Sequence, residues 1–196
     1  MRKLIAFEWS SLDGVVQSPV YPDEDTSRGF RHGGWHRPYL DEMALKWIVE
    51  NVSRAGGYLL GRRTYEIFAA HWPNTPASEQ ALAQPLNAKP KYVASRTLKD
   101  PLAWNNSRLL KSNLVDDVTG LKQQDGDDLL AIGSSELVQT LITHSLVDEF
   151  RLMIDPVLLG GGKRVFQDDG VLRRLRLVDS RRTTTGATIA TYAALV

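Results

Sequence analysis

Three short stretches pair a glycine or a hydroxyl with a fixed charge or an open backbone. G-R-R-T, Gly61 to Thr64, closes the apolar run G-Y-L-L. Ser95 and Arg96 close the run K-Y-V-A. Gly133, Ser134 and Ser135 close L-L-A-I and lead into E-L-V-Q-T-L-I. The chemistry that suits these residues is anion binding. A helix start offers unpaired N–H groups and partial positive charge, and phosphate binds there. The forks of Arg62 and Arg63 match phosphate oxygens. Thr64 caps the following helix or gives its hydroxyl to the same anion. Gly133 permits close approach of a ligand, and the serines add donors. The alternatives are a capped helix with two solvated arginines, and ordinary capping by Ser134 or Glu136. One such turn is common in α/β proteins. Three at the carboxyl ends of neighbouring strands suit a dinucleotide, although the spacing is not G-x-G-x-x-G.

Other residues carry weaker signals. Asp13 is a turn residue or a substrate contact. Trp9, Trp35 and Tyr39 form an aromatic wall for a flat heterocycle or simply fill a core. His32 and His36 are separated by Gly33-Gly34, which breaks the helix that would align them, and no carboxylate has ligand spacing, so no metal is expected. Arg173 to Arg176 and Arg181-Arg182 read as solvated faces. G-G-G-K, Gly160 to Lys163, lacks the P-loop pattern.

The elements that must position these residues alternate. Leu4 to Trp9 reads as a strand, and Asp13-Gly14 as a turn. Residues 17–36 read as a long loop, a feature that is often functional. Pro38 to Arg54 has helical spacing, with Pro38 in the first turn. Gly57 to Leu60 is a strand and Thr64 to Ala70 a helix. Residues 73–89 read as a polar loop. Lys91 to Ser95 and Leu129 to Gly133 are strands, and a helix runs from Ser134 or Ser135 to His144. Val147 to Ile154 is a strand, and the tail alternates as one or two antiparallel strands that include Thr188 to Val196. The expectation is one domain over residues 1–196, with helices on both faces of a mixed, mainly parallel sheet and an antiparallel edge: a three-layer α/β/α fold.

The 196 residues suffice for one sizeable core. With 24 basic and 23 acidic side chains, no global charge draws the chain to nucleic acid or to a membrane. Cysteine is absent, which excludes disulfides and thiolate catalysis and fits a cytoplasmic protein. The opening M-R-K-L-I-A-F-E-W-S has too short an apolar run for a signal peptide, and Glu8 interrupts it.

G-R-R-T-Y-E, V-A-S-R-T-L and A-I-G-S-S-E-L-V resemble the cofactor turns of dihydrofolate reductases. S-L-D-G-V-V, G-G-W-H-R-P-Y and V-D-E-F-R-L-M-I-D-P-V-L-L-G-G-G-K-R-V-F resemble the riboflavin-biosynthesis reductase domain and its stand-alone bacterial relatives. The resemblance spans essentially the whole chain. It implies a dihydrofolate reductase-like fold, NADPH as cofactor and a homodimer. It assigns Gly61, Arg62, Arg63 and Thr64 to phosphates, Ser95 and Arg96 to the 2′-phosphate, and Gly133, Ser134 and Ser135 to the pyrophosphate, with Leu159 and Gly160 in the same cleft. It also brings Asp41 near the position of the folate enzymes' substrate carboxylate, where the alternative is an N-terminal aspartate favoured by the helix dipole. Val15 stands where riboflavin-pathway reductases carry Lys or Arg, and Ser134 where folate enzymes carry a second glycine. A serine there disfavours a cis peptide. The implied function is a reductase of the 5-amino-6-(5-phosphoribosylamino)uracil type acting on a small heterocycle or carbonyl. Activity on a pterin, or nucleotide binding without turnover, are the alternatives.

Overall fold

Strand β1 (Leu4–Ser11) divides the protein into its layers. Successive strand residues face opposite ways. Leu4 and Ala6 join one apolar core, and Ile5 and Phe7 join the other. The computed structural model describes residues 1–195. After β1 come α1 (Glu42–Arg54), β2 (Gly57–Gly61), α2 (Arg62–His71), α3 (Gln80–Ala88), β3 (Lys91–Ala94), β4 (Ser107–Leu110) and α4 (Leu114–Gln123). Then follow β5 (Leu129–Ile132), α5 (Ser135–Thr143), β6 (Glu149–Asp155), β7 (Leu175–Arg182) and β8 (Thr188–Ala194). The strands form one sheet in the order β4-β3-β2-β5-β1-β6-β8-β7. The pairings from β4 through to β6 are parallel, and β8 is antiparallel to both β6 and β7. Val118, Leu121, Leu137, Val138 and Leu141 of α4 and α5 cover the Leu4 face. Ile48, Val52 and Leu86 of α1 and α3 cover the Ile5 face. This is the expected three-layer arrangement with its antiparallel edge.

Several boundaries move for physical reasons. The helix expected from Pro38 starts at Glu42, because Pro38 belongs to a separate 3-10 turn and Leu40 is extended. The helix expected from Thr64 starts at Arg62, with Gly61 as its N-cap residue. Residues 73–89 contain α3, whose apolar stripe is masked in the sequence by the internal Pro85. β4 and α4 have no counterpart in the sequence expectation; each is short, and α4 starts at an Asn113 cap. The tail resolves into β7 and β8, and the end of its expected Thr188 to Val196 strand, Val196, lies outside the described residues. The one cis peptide among the described residues joins Asp100 to Pro101, so the Gly133–Ser134 bond is trans. No helix among the described residues is long and apolar enough to cross a membrane.

Lys91 anchors the α3–β3 junction. It is fully buried, and its Nζ donates to the carbonyls of Leu86 (2.7 Å), Asn87 (3.2 Å) and Lys89 (2.9 Å), 4.3 Å from the centroid of a Trp104 ring. It thereby satisfies carbonyls that the end of α3 leaves unpaired. Lys91→Met keeps the stem and removes the donor. The expected loss is about 2 kcal/mol in denaturant unfolding, the usual cost of stranding buried acceptors. An unchanged midpoint would show that water replaces the ammonium.

Candidate active site

The carboxyl ends of β1, β2, β3 and β5 border one large cleft of about 840 Å³, within the size range of small-molecule sites. Arg62, Arg63 and Thr64, then Ser95 and Arg96, then Gly133, Ser134 and Ser135 all line it. The three stretches that are far apart in sequence therefore meet in one place. Gly61 lies behind this wall. A Cβ there would sit 2.7 Å from Ser134 Oγ, so only glycine lets the two turns approach. The Gly61 N–H donates to Ser134 Oγ at 2.8 Å, and Ser134 Oγ lies 2.6 Å from Thr64 Oγ1. Thr64 thus locks one turn to the other and does not cap α2. Gly133 (φ 58°) and Ser134 (φ 63°) both adopt the left-handed conformation that turns β5 into α5.

The helix starts differ in their capping, and α3, which follows directly on a 3-10 turn, has no side-chain cap. Asp41 and Asn113 cap α1 and α4 with their side chains. α2 and α5, which begin on the cleft, have no side-chain cap. Their first N–H groups are open to an anion.

The cleft arginines are unequal. Arg62 pairs with Glu66 on the same helix, 2.9 Å away and exposed. Arg63 bonds to Asp25 of the long loop and to Ser27 Oγ at 3.1 Å. Asp25 also accepts from Lys163 Nζ at 2.8 Å. Burial works against the Asp25 carboxylate, but the bonds from Lys163 and Ser27 outweigh it and hold its pKa below the usual value. Arg96 has no ion pair among the described residues. Ser95 Oγ accepts from the N–H groups of Thr97 (3.2 Å) and Leu98 (3.0 Å), which shapes the Arg96 turn.

Of the aromatic candidates, Trp9 lines the cleft, with its Nε1 buried and unpartnered. Trp35, near the end of the long loop, is buried in a cluster with Val15 and Phe30, and its Nε1 donates to the Gln17 carbonyl at 2.8 Å. Tyr39 packs against the α1–β8 cluster. Neither Trp35 nor Tyr39 borders the cleft. Asp13 accepts from the N–H groups of Leu159 (3.2 Å) and Gly160 (2.9 Å) and from Ser11 Oγ (2.6 Å), and its pKa is lowered chiefly by Ser11. This clamp holds the Leu159–Gly160 segment outside the cleft, and Lys163 is the residue from that loop that reaches it. Asp41 is also outside. Its carboxylate accepts from the Ala44 N–H (2.8 Å) and from the Thr184 hydroxyl (2.6 Å) and N–H (2.7 Å), and the Thr184 hydroxyl leads in lowering its pKa. Those bonds account for Asp41 as a cap and loop tie.

Two groups in the cleft wall have no place in the sequence reading of function. Glu8 is 2% exposed on β1, with Oε1 buried and unpartnered. Burial raises its pKa to about 8. His36 is buried with its Nδ1 2.8 Å from Asp155 Oδ2, and its Nε2 has no partner among the described residues. Burial raises the Asp155 pKa, partly offset by His36. In the sequence, Glu8 showed as a lone carboxylate inside L-I-A-F-E-W; the His36–Asp155 pair left no local sign.

A mainly parallel sheet with uncapped helix starts and arginines at its carboxyl ends defines an α/β protein with an anion-ready cleft. A family model described as the RibD C-terminal domain matches residues 2–189, and the chain belongs to that family. It is 34% identical to YyaP of Bacillus subtilis strain 168, an uncharacterized protein, over 136 residues, which is 68% of this chain and 71% of that one. A putative riboflavin biosynthesis protein from Shewanella sp. PV-4 superposes with a TM-score of 0.71 at 22% identity over 99% of both chains. A diaminohydroxyphosphoribosylaminopyrimidine deaminase/5-amino-6-(5-phosphoribosylamino)uracil reductase from Thermotoga maritima superposes with a TM-score of 0.67 at 15% identity, covering 99% of this chain and 57% of its own length. The shared architecture is the dihydrofolate reductase-like fold.

Proposed function

We propose that the protein is a cytoplasmic NADPH-dependent reductase of a C=N or C=O bond in a small heterocyclic or carbonyl substrate, of the 5-amino-6-(5-phosphoribosylamino)uracil reductase type. The single observation that carries this reading is the convergence of three strand-end turns, each rich in N–H, hydroxyl or arginine donors, on one cleft. The uncapped starts of α2 and α5 suit a pyrophosphate. Ser95 and Arg96 suit the adenosine 2′-phosphate, and Arg96 has no competing carboxylate among the described residues. The orphaned Trp9 Nε1, Glu8 Oε1 and His36 Nε2 are polar atoms in the wall of the same cleft that suit a polar ring. Bound there, reduced nicotinamide supplies the hydride, while the protein orients both partners and excludes water. Family membership and the reductase named among the structural relatives support the same reaction class. Val15 is fully buried in a cluster with Phe30 and Trp35, so that position brings no charge to a substrate phosphate.

The test is NADPH oxidation with a panel containing 5-amino-6-(5-phosphoribosylamino)uracil, a dihydropterin and simple cyclic imines. Consumption above the substrate-free rate is expected with at least one member. No consumption with any of them sinks the reductase reading.

The homodimer belongs to the same proposal. All residues of β7 are exposed, and Leu175, Leu177 and Val178 lie on it beside the exposed Leu172. A bare strand at a sheet edge is a ready pairing site. Light scattering at micromolar concentration is expected to give twice the mass of one chain, and Val178→Lys with Leu177→Lys to return it to one. A single-chain mass for the unaltered protein would refute the dimer.

A further inference from the structure

We propose that Glu8 is the proton donor of this cleft: its carboxylic acid protonates the nitrogen or oxygen of the substrate's C=N or C=O bond while the adjacent carbon takes the hydride. The inference rests on the reductase reading above and adds the residue that completes the reaction. Reduced nicotinamide gives two electrons and one hydrogen as hydride. The π pair of the double bond moves onto the heteroatom and takes the Glu8 proton. Glu8 is left as a carboxylate, and a proton from solvent restores the acid.

Position comes first. Glu8 sits mid-way along β1, the strand between β5 and β6, one residue past the Phe7–Ile132 pair that ends β5, and so level with the start of the Gly133–Ser135 turn. Both Glu8 and Trp9 line the cleft, although strand alternation sends their side chains to opposite faces. The cleft therefore reaches both faces of β1 where it runs on past the end of β5. The Glu8 Oε1 atom is buried with no partner among the described residues, a costly arrangement for a side chain that only fills space. A buried carboxyl without a partner stays protonated, which is the state a proton donor needs. Charged and titratable groups line the cleft from every surrounding element: Tyr21, Glu24, Asp25, His36 and Arg37 between β1 and α1, Arg62, Arg63 and His71 of α2, Glu79 before α3, Arg96 after β3, Glu136 of α5, and Lys163. None of them contributes to the Glu8 shift, which burial alone produces. Asp41, the position suggested by the folate enzymes, is bonded to Ala44 and Thr184 outside the cleft. His36 is the rival donor, but its ring is tied to Asp155 between Trp9 and Trp35.

The experiment compares wild type, Glu8→Gln and His36→Gln. Glutamine keeps the shape of Glu8 and cannot supply the proton. NADPH affinity by calorimetry, expected to be unchanged in Glu8→Gln, shows that the variant is folded and loaded. Infrared difference spectra of the NADPH complex at pH 7 should contain a protonated carboxyl band in wild type that Glu8→Gln lacks. Turnover of the reactive panel substrate should fall about 100-fold or more in Glu8→Gln, the usual scale of general acid catalysis. A missing band, wild-type turnover in Glu8→Gln, or loss of turnover in His36→Gln alone overturns the assignment to Glu8. Lost NADPH affinity in Glu8→Gln would make Glu8 a binding residue and overturns it too. A wild type that binds no NADPH or reduces no panel member fails at the earlier step and takes both readings down.

Discussion

Glu8→Gln should be more stable than the wild-type protein at pH 8 and closely similar to it near pH 4.5. The unfolded chain ionises Glu8 near 4.5, whereas the folded protein keeps the proton until about pH 8. Between these values the folded state binds more protons than the unfolded state, so rising pH costs stability. The contribution of Glu8 is whole below pH 4.5 and lost as pH climbs through about 8. At 1.36 kcal/mol for each pH step, the full span is at most ~5 kcal/mol. Glutamine does not ionise and removes this slope. Glu24 and Asp155 are also raised by burial, but both proteins contain them, so they cancel in the difference. Urea midpoints of both proteins across pH 4.5 to 9 give the answer. Parallel curves would mean that Glu8 ionises normally in the fold, through water or a shift of the β1 end.

Arg96→Ala should weaken NADPH binding by tenfold or more and leave NADH binding nearly unchanged. A charge-assisted hydrogen bond contributes about 1.5–3 kcal/mol, and 1.4 kcal/mol is tenfold in affinity. Arg96 is exposed and forms no ion pair among the described residues, so its removal should barely alter folding. Arg62 and Arg63 already hold Glu66 and Asp25, and a phosphate must share or displace those carboxylates. The loss on Arg62→Ala or Arg63→Ala should accordingly be smaller. A loss as large for NADH as for NADPH would move Arg96 from the 2′-phosphate to the pyrophosphate.

The turns were legible because their signal is local. Glycine, a hydroxyl and arginine at the end of a four-residue apolar run show strand, stop and donor together. The layer division was legible for the same reason, since Leu4 and Ala6 alternate with Ile5 and Phe7 along one strand. α3 was hidden because Pro85 reads as a breaker; it is the sixth of nine residues and removes a single N–H donor from the short ladder. Trp35 and Tyr39 carry the same chemistry in a core as in a wall, and residue type could not separate the two. Their places depend on the path of residues 17–36. The roles of Asp13 and Asp41 were fixed by partners more than 140 positions away, in the 159–160 segment and at Thr184. The His36–Asp155 pair likewise spans a separation of 119. Glu8 was visible as a break in an apolar run. Its isolation inside the cleft wall depended on what packs around it.

Calorimetric titration of the protein with NADPH and, separately, with NADH tests the central claim most directly. The cleft presents an arginine without a carboxylate partner and two uncapped helix starts to a dinucleotide. Saturable NADPH binding is expected, at least tenfold tighter than NADH. Equal affinities would contradict the 2′-phosphate assignment of Ser95 and Arg96, and no binding of either nucleotide would contradict the cofactor cleft itself.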